Sequence, residues 1–272
     1  MEPELLTYDL GAEVCAFSTT RNGGYSEGAY ASFNANAYCG DDVCVVRRNR
    51  ELLCRSLGLD TARLIMPHQV HEADVLCIDD SFFALTDEEK AGRLEGVDGV
   101  MTCLPRTCVS VSTADCIPIL IYDAAHHAVA AVHAGWRSTL RRIPVVALQA
   151  MEKAYGTRPS EVKVAVGPGI SLEAFEVGEE VYEAFSAAGF PMQEMARRFP
   201  VRGADGMQPG KWHLDLWRAN TGLLEQAGVP EGHIHVAGIC TYANADRFFS
   251  ARRLGIRSGR ILNGIFLKDG LK

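Results

Sequence analysis

The chain has 272 residues, 47% of them hydrophobic and 22% charged, with a formal net charge of −7. That is enough apolar material for a large buried core in a globular protein. The acidic balance excludes a general nucleic-acid surface, which needs a basic field, and no window is apolar for the length of a membrane span.

Residues 1–14 (MEPELLTYDLGAEV) show neither the basic start nor the apolar run of a signal peptide. The nine cysteines are odd in number, scattered, and contain no C-x-x-C pair. They read as reduced thiols, most packing as small hydrophobes, and a cytoplasmic setting is expected. Asn22-Gly23-Gly24 is a turn signal, and 45–57 carries apolar residues at helical spacing. Residues 64–66 lead into Pro67-His68-Gln69-Val70-His71, which is predicted as a strand continuing through 75–78. Residues 79–95 read as an exposed loop or short helix. Strands are predicted at 108–111, 117–122 (IPILIY) and 128–133 (AVAAVH), then a helix over 140–155 and a strand at 162–166. Helices follow at 177–188 and at 214–227, the latter with Asp215 near its start and Gly228 as its stop. Strands at 234–239 and 260–266 complete the pattern. The irregular interleaving predicts mixed sheets and an α+β architecture.

Three polar residues sit in or beside these apolar strands. They are His71, Cys116 and His133. Two imidazoles and a thiolate suit zinc, and three protein ligands with an open fourth position are the catalytic pattern. The spacing is long, and it leaves open that each is only a hydrogen-bonded or packed core residue. His68 alternates out of phase with His71 and stays outside the predicted ligand set.

Ser112-Thr113-Ala114-Asp115-Cys116-Ile117-Pro118, Val132-His133-Ala134-Gly135-Trp136-Arg137 and His68-Gln69-Val70-His71 resemble the signature blocks of the laccase-domain family. That family is also labelled polyphenol oxidase and is regarded as purine nucleoside phosphorylases. Further blocks agree in order, among them Thr20-Arg21-Asn22-Gly23-Gly24, Val97-Asp98-Gly99-Val100-Met101-Thr102, Phe175-Glu176-Val177-Gly178 and Phe248-Phe249-Ser250-Ala251-Arg252-Arg253. The resemblance spans nearly the whole chain. It implies one domain over 1–272 with a four-layer α/β/β/α fold, and one zinc per chain held by His71, Cys116 and His133. It also implies purine nucleosides and phosphate as substrates. Three departures bear on substrate preference: Ala35-Asn36-Ala37-Tyr38-Cys39 where the family commonly has Leu-Gly and then His-Val, Ser138 in place of a Gly, and 171–174 without the cysteines of some members.

Around the ligands, Asp115 reads either as a hydrogen-bond acceptor or proton carrier beside the metal, or as a strand-end Asp with local bonds. Arg137 reads either as a bidentate phosphate holder or as a surface guanidinium stacked on Trp136. Gly167-Pro168-Gly169 reads as an anion-binding backbone turn or simply a tight one. The resemblance adds Asn34 and Gln69 as base or ribose contacts, and Arg21 supplies further positive charge. The expected reaction is phosphorolysis of adenosine, inosine and methylthioadenosine, with adenosine deamination as a second activity. The H-x-E…P-C-x-x-C signature of the common zinc deaminases is missing. Rival readings are a copper oxidase with Cu2+ in place of zinc, a metal-free hydrolase using Cys116 and His133, and a metal-binding protein without turnover. Eight histidines, with one H-x-H pair at His233-Ile234-His235, are a poor supply for a multicopper centre.

Overall fold

The structure is a computed structural model, and it describes residues 2–203 and 206–269. The chain opens with β1 (Leu5–Tyr8) and β2 (Val14–Thr19), then α1 (Val43–Leu57). Asp42 caps α1 by accepting from the N–H groups of Cys44 and Val45, and Gly58 stops it in the left-handed conformation at φ 66. There follow β3 (Leu64–Ile65), β4 (Val75–Cys77), α2 (Asp80–Ala84), α3 (Asp87–Leu94), β5 (Gly99–Thr102), β6 (Cys108–Thr113), β7 (Ile117–Asp123) and β8 (Ala128–Ala134). The second half holds α4 (Trp136–Leu140), α5 (Ile143–Tyr155), β9 (Lys163–Val166), β10 (Glu176–Val177), α6 (Glu179–Ala187), α7 (Met192–Met195) and β11 (Ala196–Arg198). It closes with β12 (Val201–Gly203), β13 (Gly206–Gln208), β14 (Trp212–Leu214), α8 (Leu216–Gln226), β15 (Ile234–Val236), α9 (Ala251–Leu254) and β16 (Ile261–Leu267).

Two mixed sheets carry the fold. One has the order β1-β2-β16-β6-β3, the other β15-β9-β7-β8-β5-β4. Their inner faces meet in a shared layer that includes Ala16, Val109, Val111 and Ile265 from the first sheet and Leu120, Val129, Ala131 and Ala165 from the second. The outer face of the first sheet packs Phe17, Leu262 and Phe266 against Leu52 and Leu53 of α1. The outer face of the second packs Ile119, Ile121, Ala130 and Val132 against α5 and α8. This is the four-layer α/β/β/α arrangement. It explains why 117–123 and 128–134 read as unbroken apolar runs, since every residue of both strands is buried.

The predicted strand over 67–71 is not formed; the chain there is irregular, with His71 at φ 66. The segment is a loop held by a distant carboxylate, described below. The helix predicted over 140–155 forms as α5 from Ile143, three residues later than expected, because Arg142 adopts φ 58 and Pro144 sits in the first turn; Leu140 is the last residue of the preceding α4. Residues 79–95 form two short helices, the second opened by a Thr86–Glu89 capping box. The strand predicted over 234–239 stops at Val236, just ahead of Gly238 at φ 64.

Candidate metal centre and its pocket

β7 and β8 pair antiparallel, with Pro118 opposite His133 and Ile117 opposite Ala134. Cys116, immediately before β7, therefore lies beside the end of β8. Alternation along β8 turns Val132 and Ala134 toward the helices and His133 to the opposite face. The loop bearing His71 comes to the same point. The donor atoms of His71, Cys116 and His133 all lie within 4.8 Å of one another. The Cys116 Sγ to His71 Nε2 distance is 3.9 Å. A tetrahedral zinc with ordinary bond lengths needs donors about 3.3–3.6 Å apart, so a small inward adjustment closes the set.

Asp98, fully buried, organises this constellation. It accepts from the backbone N–H groups of Val70 (3.1 Å), His71 (3.0 Å) and Glu72 (2.9 Å). It also sits 2.7 Å from His133 Nδ1. A carboxylate only accepts, so Nδ1 carries a proton and Nε2 is the nitrogen left facing the donor set, the one a metal would take in exchange for its proton. One carboxylate thus fixes the loop of one ligand and the ring of another. Sequence reasoning placed Asp98 in a matching block without giving it a role. Its partners lie 26–28 and 35 residues away, beyond any local pattern.

Gly135 supplies an independent test of fit. A Cβ there would stand 2.7 Å from His71 Cδ2 and 3.1 Å from Cys116 Sγ. The backbone has been brought against the ligands where only glycine can pass. Burial disfavours the Cys116 thiolate, but the neighbouring His133 and His71 outweigh it and draw its pKa down to about 6. Burial likewise opposes charge on His133, but Cys116 and Asp98 raise its pKa to about 9. The thiolate is therefore available at neutral pH.

These three residues lie at a cavity of about 340 Å³, within the size range of small-molecule sites. Asn36, Tyr38, Cys39, His68, Gln69 and Arg260 are among its other lining residues. Tyr38, 49% exposed, stacks on His68 with ring centroids 4.3 Å apart. His68 Nδ1 is held 2.8 Å from Glu95 Oε1. Tyr38 belongs to the stretch that departs from the family pattern, the one sequence signal that pointed here.

The other predicted site residues divide. Gln69 lines the cavity, with its amide clamped to the backbone of Ser112 (2.9 and 2.7 Å). Asn34 is fully buried behind it, donating to Asp41 Oδ2 (2.9 Å) and accepting from the Arg260 N–H (3.1 Å). Arg21 donates to the carbonyls of Ala31 (2.9 Å) and Ala245 (2.6 Å). Asp115, at φ 87, accepts from the Thr241 hydroxyl and the Arg252 N–H, both at 2.7 Å. Arg137 is exposed, with its guanidinium 4.1 Å over the Trp136 ring, and is not among the cavity-lining residues. In the Gly167-Pro168-Gly169 turn, the backbone N–H of Gly167 goes to Pro118 (2.9 Å) and that of Gly169 to Ile239 (3.2 Å).

A family model described as multi-copper polyphenol oxidoreductase laccase matches residues 15–268. The chain belongs to this family. Among family relatives, a purine nucleoside phosphorylase of Bacteroides thetaiotaomicron is 46% identical over 256 residues, 94% of this chain and 92% of the relative. A protein named adenosine deaminase RL5, from an unknown prokaryotic organism, is 40% identical over 269 residues, 98% of this chain and all (100%) of the relative. The solved structure of YlmD from Geobacillus stearothermophilus aligns with TM-score 0.84 and 30% identity, covering 96% of this chain and 94% of that one. The family fold is thus the one described above.

Proposed function

We propose that this chain is a zinc-dependent purine nucleoside enzyme. It would cleave adenosine, inosine and methylthioadenosine by phosphorolysis, with adenosine deamination as a second activity. The observation that carries the reading is a three-donor His–Cys–His site, open for a further ligand, at a cavity whose rim bears a stacked Tyr38–His68 pair. The names of the relatives, phosphorylase and deaminase, supply the two reactions. A thiolate with two imidazoles favours zinc. Among the described residues, no second group of three or more His, Cys, Asp or Glu side chains comes together as a metal site, which speaks against several coppers. Zinc bound here supplies Lewis acidity at the floor of the cavity.

The remaining roles fall to the protein. Tyr38 and His68 offer an aromatic surface to a purine. Gln69 borders the substrate. Asn34, Arg21 and Asp115 position the loops around it, Asp115 by tying the backbone beside Cys116 to Thr241 and Arg252. The chain acts as one unit in the cell interior. One observation favours a second reading. Cys116, His133 and Asp98 form a thiol–imidazole–carboxylate series, the arrangement of a metal-free cysteine hydrolase.

The deciding experiment measures adenine release from adenosine by purified protein, with and without phosphate, together with metal content. Phosphate-dependent release, lost on chelation and restored by zinc, supports the proposal. Activity that survives chelation and ignores phosphate sinks it in favour of the thiol reading.

A further inference from the structure

The cavity has a charge pattern that the metal centre does not use. Arg260 is the one Lys or Arg among its lining residues, and no Asp or Glu lines it. The other guanidinium groups nearby are directed elsewhere. Arg137 stacks on Trp136. Arg252 donates to the Glu176 carbonyl (3.0 Å) and lies over Phe175, and Arg253 lies over Tyr242.

Arg260 is held in place from several sides. Its backbone N–H goes to buried Asn34. Gly259 passes so close to Phe249 that a Cβ would run into the ring. Nη1 donates to the carbonyls of Ser258 (2.6 Å) and Gly259 (3.0 Å), and Nη2 to that of Ile256 (2.8 Å). Among the described residues Nε has no acceptor, and Nη2 has one acceptor for two hydrogens. The guanidinium is therefore oriented by its own loop and still offers donors, the condition for gripping an oxyanion with little reorganisation.

We propose that Arg260 is the phosphate-binding residue of the cavity, the role the sequence offered to Arg137. This rests on the phosphorolysis reading above. In that reaction a phosphate oxygen bonds to C1′ of the ribose as the C1′–N9 bond breaks. The electron pair leaves with the purine, and the proton of hydrogen phosphate passes through solvent to the base. Arg260 holds the attacking dianion beside the sugar and neutralises part of its charge.

The test compares wild type, Arg260→Gln, Arg260→Lys and Arg137→Gln. Initial rates are measured against inorganic phosphate at saturating nucleoside, with metal content and thermal melts for each protein. Losing a charge-assisted hydrogen-bond pair corresponds to roughly a ten- to hundredfold rise in KM for phosphate. That rise is expected in Arg260→Gln, with metal content unchanged and no such rise in Arg137→Gln. Arg260→Lys retains the charge and the backbone contact to Asn34 but not the planar fork; should Arg260→Gln fail to fold, the same direction of change in Arg260→Lys carries the test. Unchanged phosphate KM in the folded Arg260 variants overturns the inference, as does a rise confined to Arg137→Gln. A wild type whose turnover ignores phosphate overturns the phosphorolysis reading itself, which is a separate outcome.

Discussion

The floor and the rim of the cavity are built differently. At the floor, Cys116 and His133 sit at the ends of two central strands of one sheet, and Asp98 locks the third ligand's loop with three backbone hydrogen bonds. At the rim, Tyr38 and Ile256 are 49% and 78% exposed, on loops that precede α1 and β16. The floor is over-determined by buried polar contacts. The rim is fixed by a few anchors such as Asn34 and the carbonyl contacts of Arg260. Reactive groups thus rest on the rigid sheet, and selectivity rests on segments that tolerate change.

If that contrast is right, the largest effect of a single substitution comes from Asp98→Ala. It removes the acceptor of three part-buried N–H groups and frees the His133 ring. The expected loss is about 1–3 kcal/mol of stability, since the N–H groups that water can reach are partly compensated and the buried His133 contact is not. Metal retention should fall with it. Denaturant unfolding and metal analysis check both, and a near-wild-type midpoint with full metal would dissolve the distinction between floor and rim. Next comes Cys116→Ala, which removes the thiolate from the donor set. Zinc affinity should fall sharply while the fold survives. Full zinc occupancy in that variant would rule out the proposed ligand set.

Acidity gives a third, intermediate test. The pKa of Cys116 is lowered to about 6 and that of His133 raised to about 9. The lowered thiol contributes stability that is lost as pH falls through about 6. The raised imidazole contributes stability that is lost as pH rises through about 9. Metal-free protein should therefore melt highest between these limits, and its thiolate absorbance should appear with a midpoint near pH 6. A midpoint at the ordinary value near 9 would contradict the ion-paired floor.

The smallest functional effect belongs to the rim. Tyr38→Ala should raise KM for the nucleoside roughly two- to tenfold, the scale of one aromatic stack, without loss of metal. Replacing exposed Cys103 or buried Cys108 by Ser should leave metal content untouched, because neither belongs to the donor cluster.

The same division governs what could be read from the residues alone. The paired strands of the floor announced themselves as apolar runs, and the blocks around them carried His71, Cys116 and His133, which the fold brings together. Asp98 was hidden because it acts through space on residues far along the chain. The loop at His71 was misread as a strand because it lies between two short apolar runs, 64–66 and 75–78, that do form strands in part, and nothing local records the carboxylate that bends it. Arg260 stands 144 positions after Cys116, so only the folded topology brings the two to one cavity. Arg137, adjacent to a ligand block, drew attention that its stacking on Trp136 does not support.

The placement of β16 has a consequence for biosynthesis. This strand lies between β2 and β6, pairing Asn263 with both Ser18 and Val111. A ribosome delivers His71, Cys116 and His133 well before it delivers residues 261–267. Until then the first sheet is split, with the partner-facing edges of β2 and β6 open, and the sheet face that covers the metal-bearing layer is incomplete. Long-range pairing of this kind is slow and leaves open edges exposed to wrong partners. Completion of the candidate centre is therefore a late event: chains stalled before residue 261 should leave His71, Cys116 and His133 more accessible than the finished fold does, until β16 has paired with both of its neighbours.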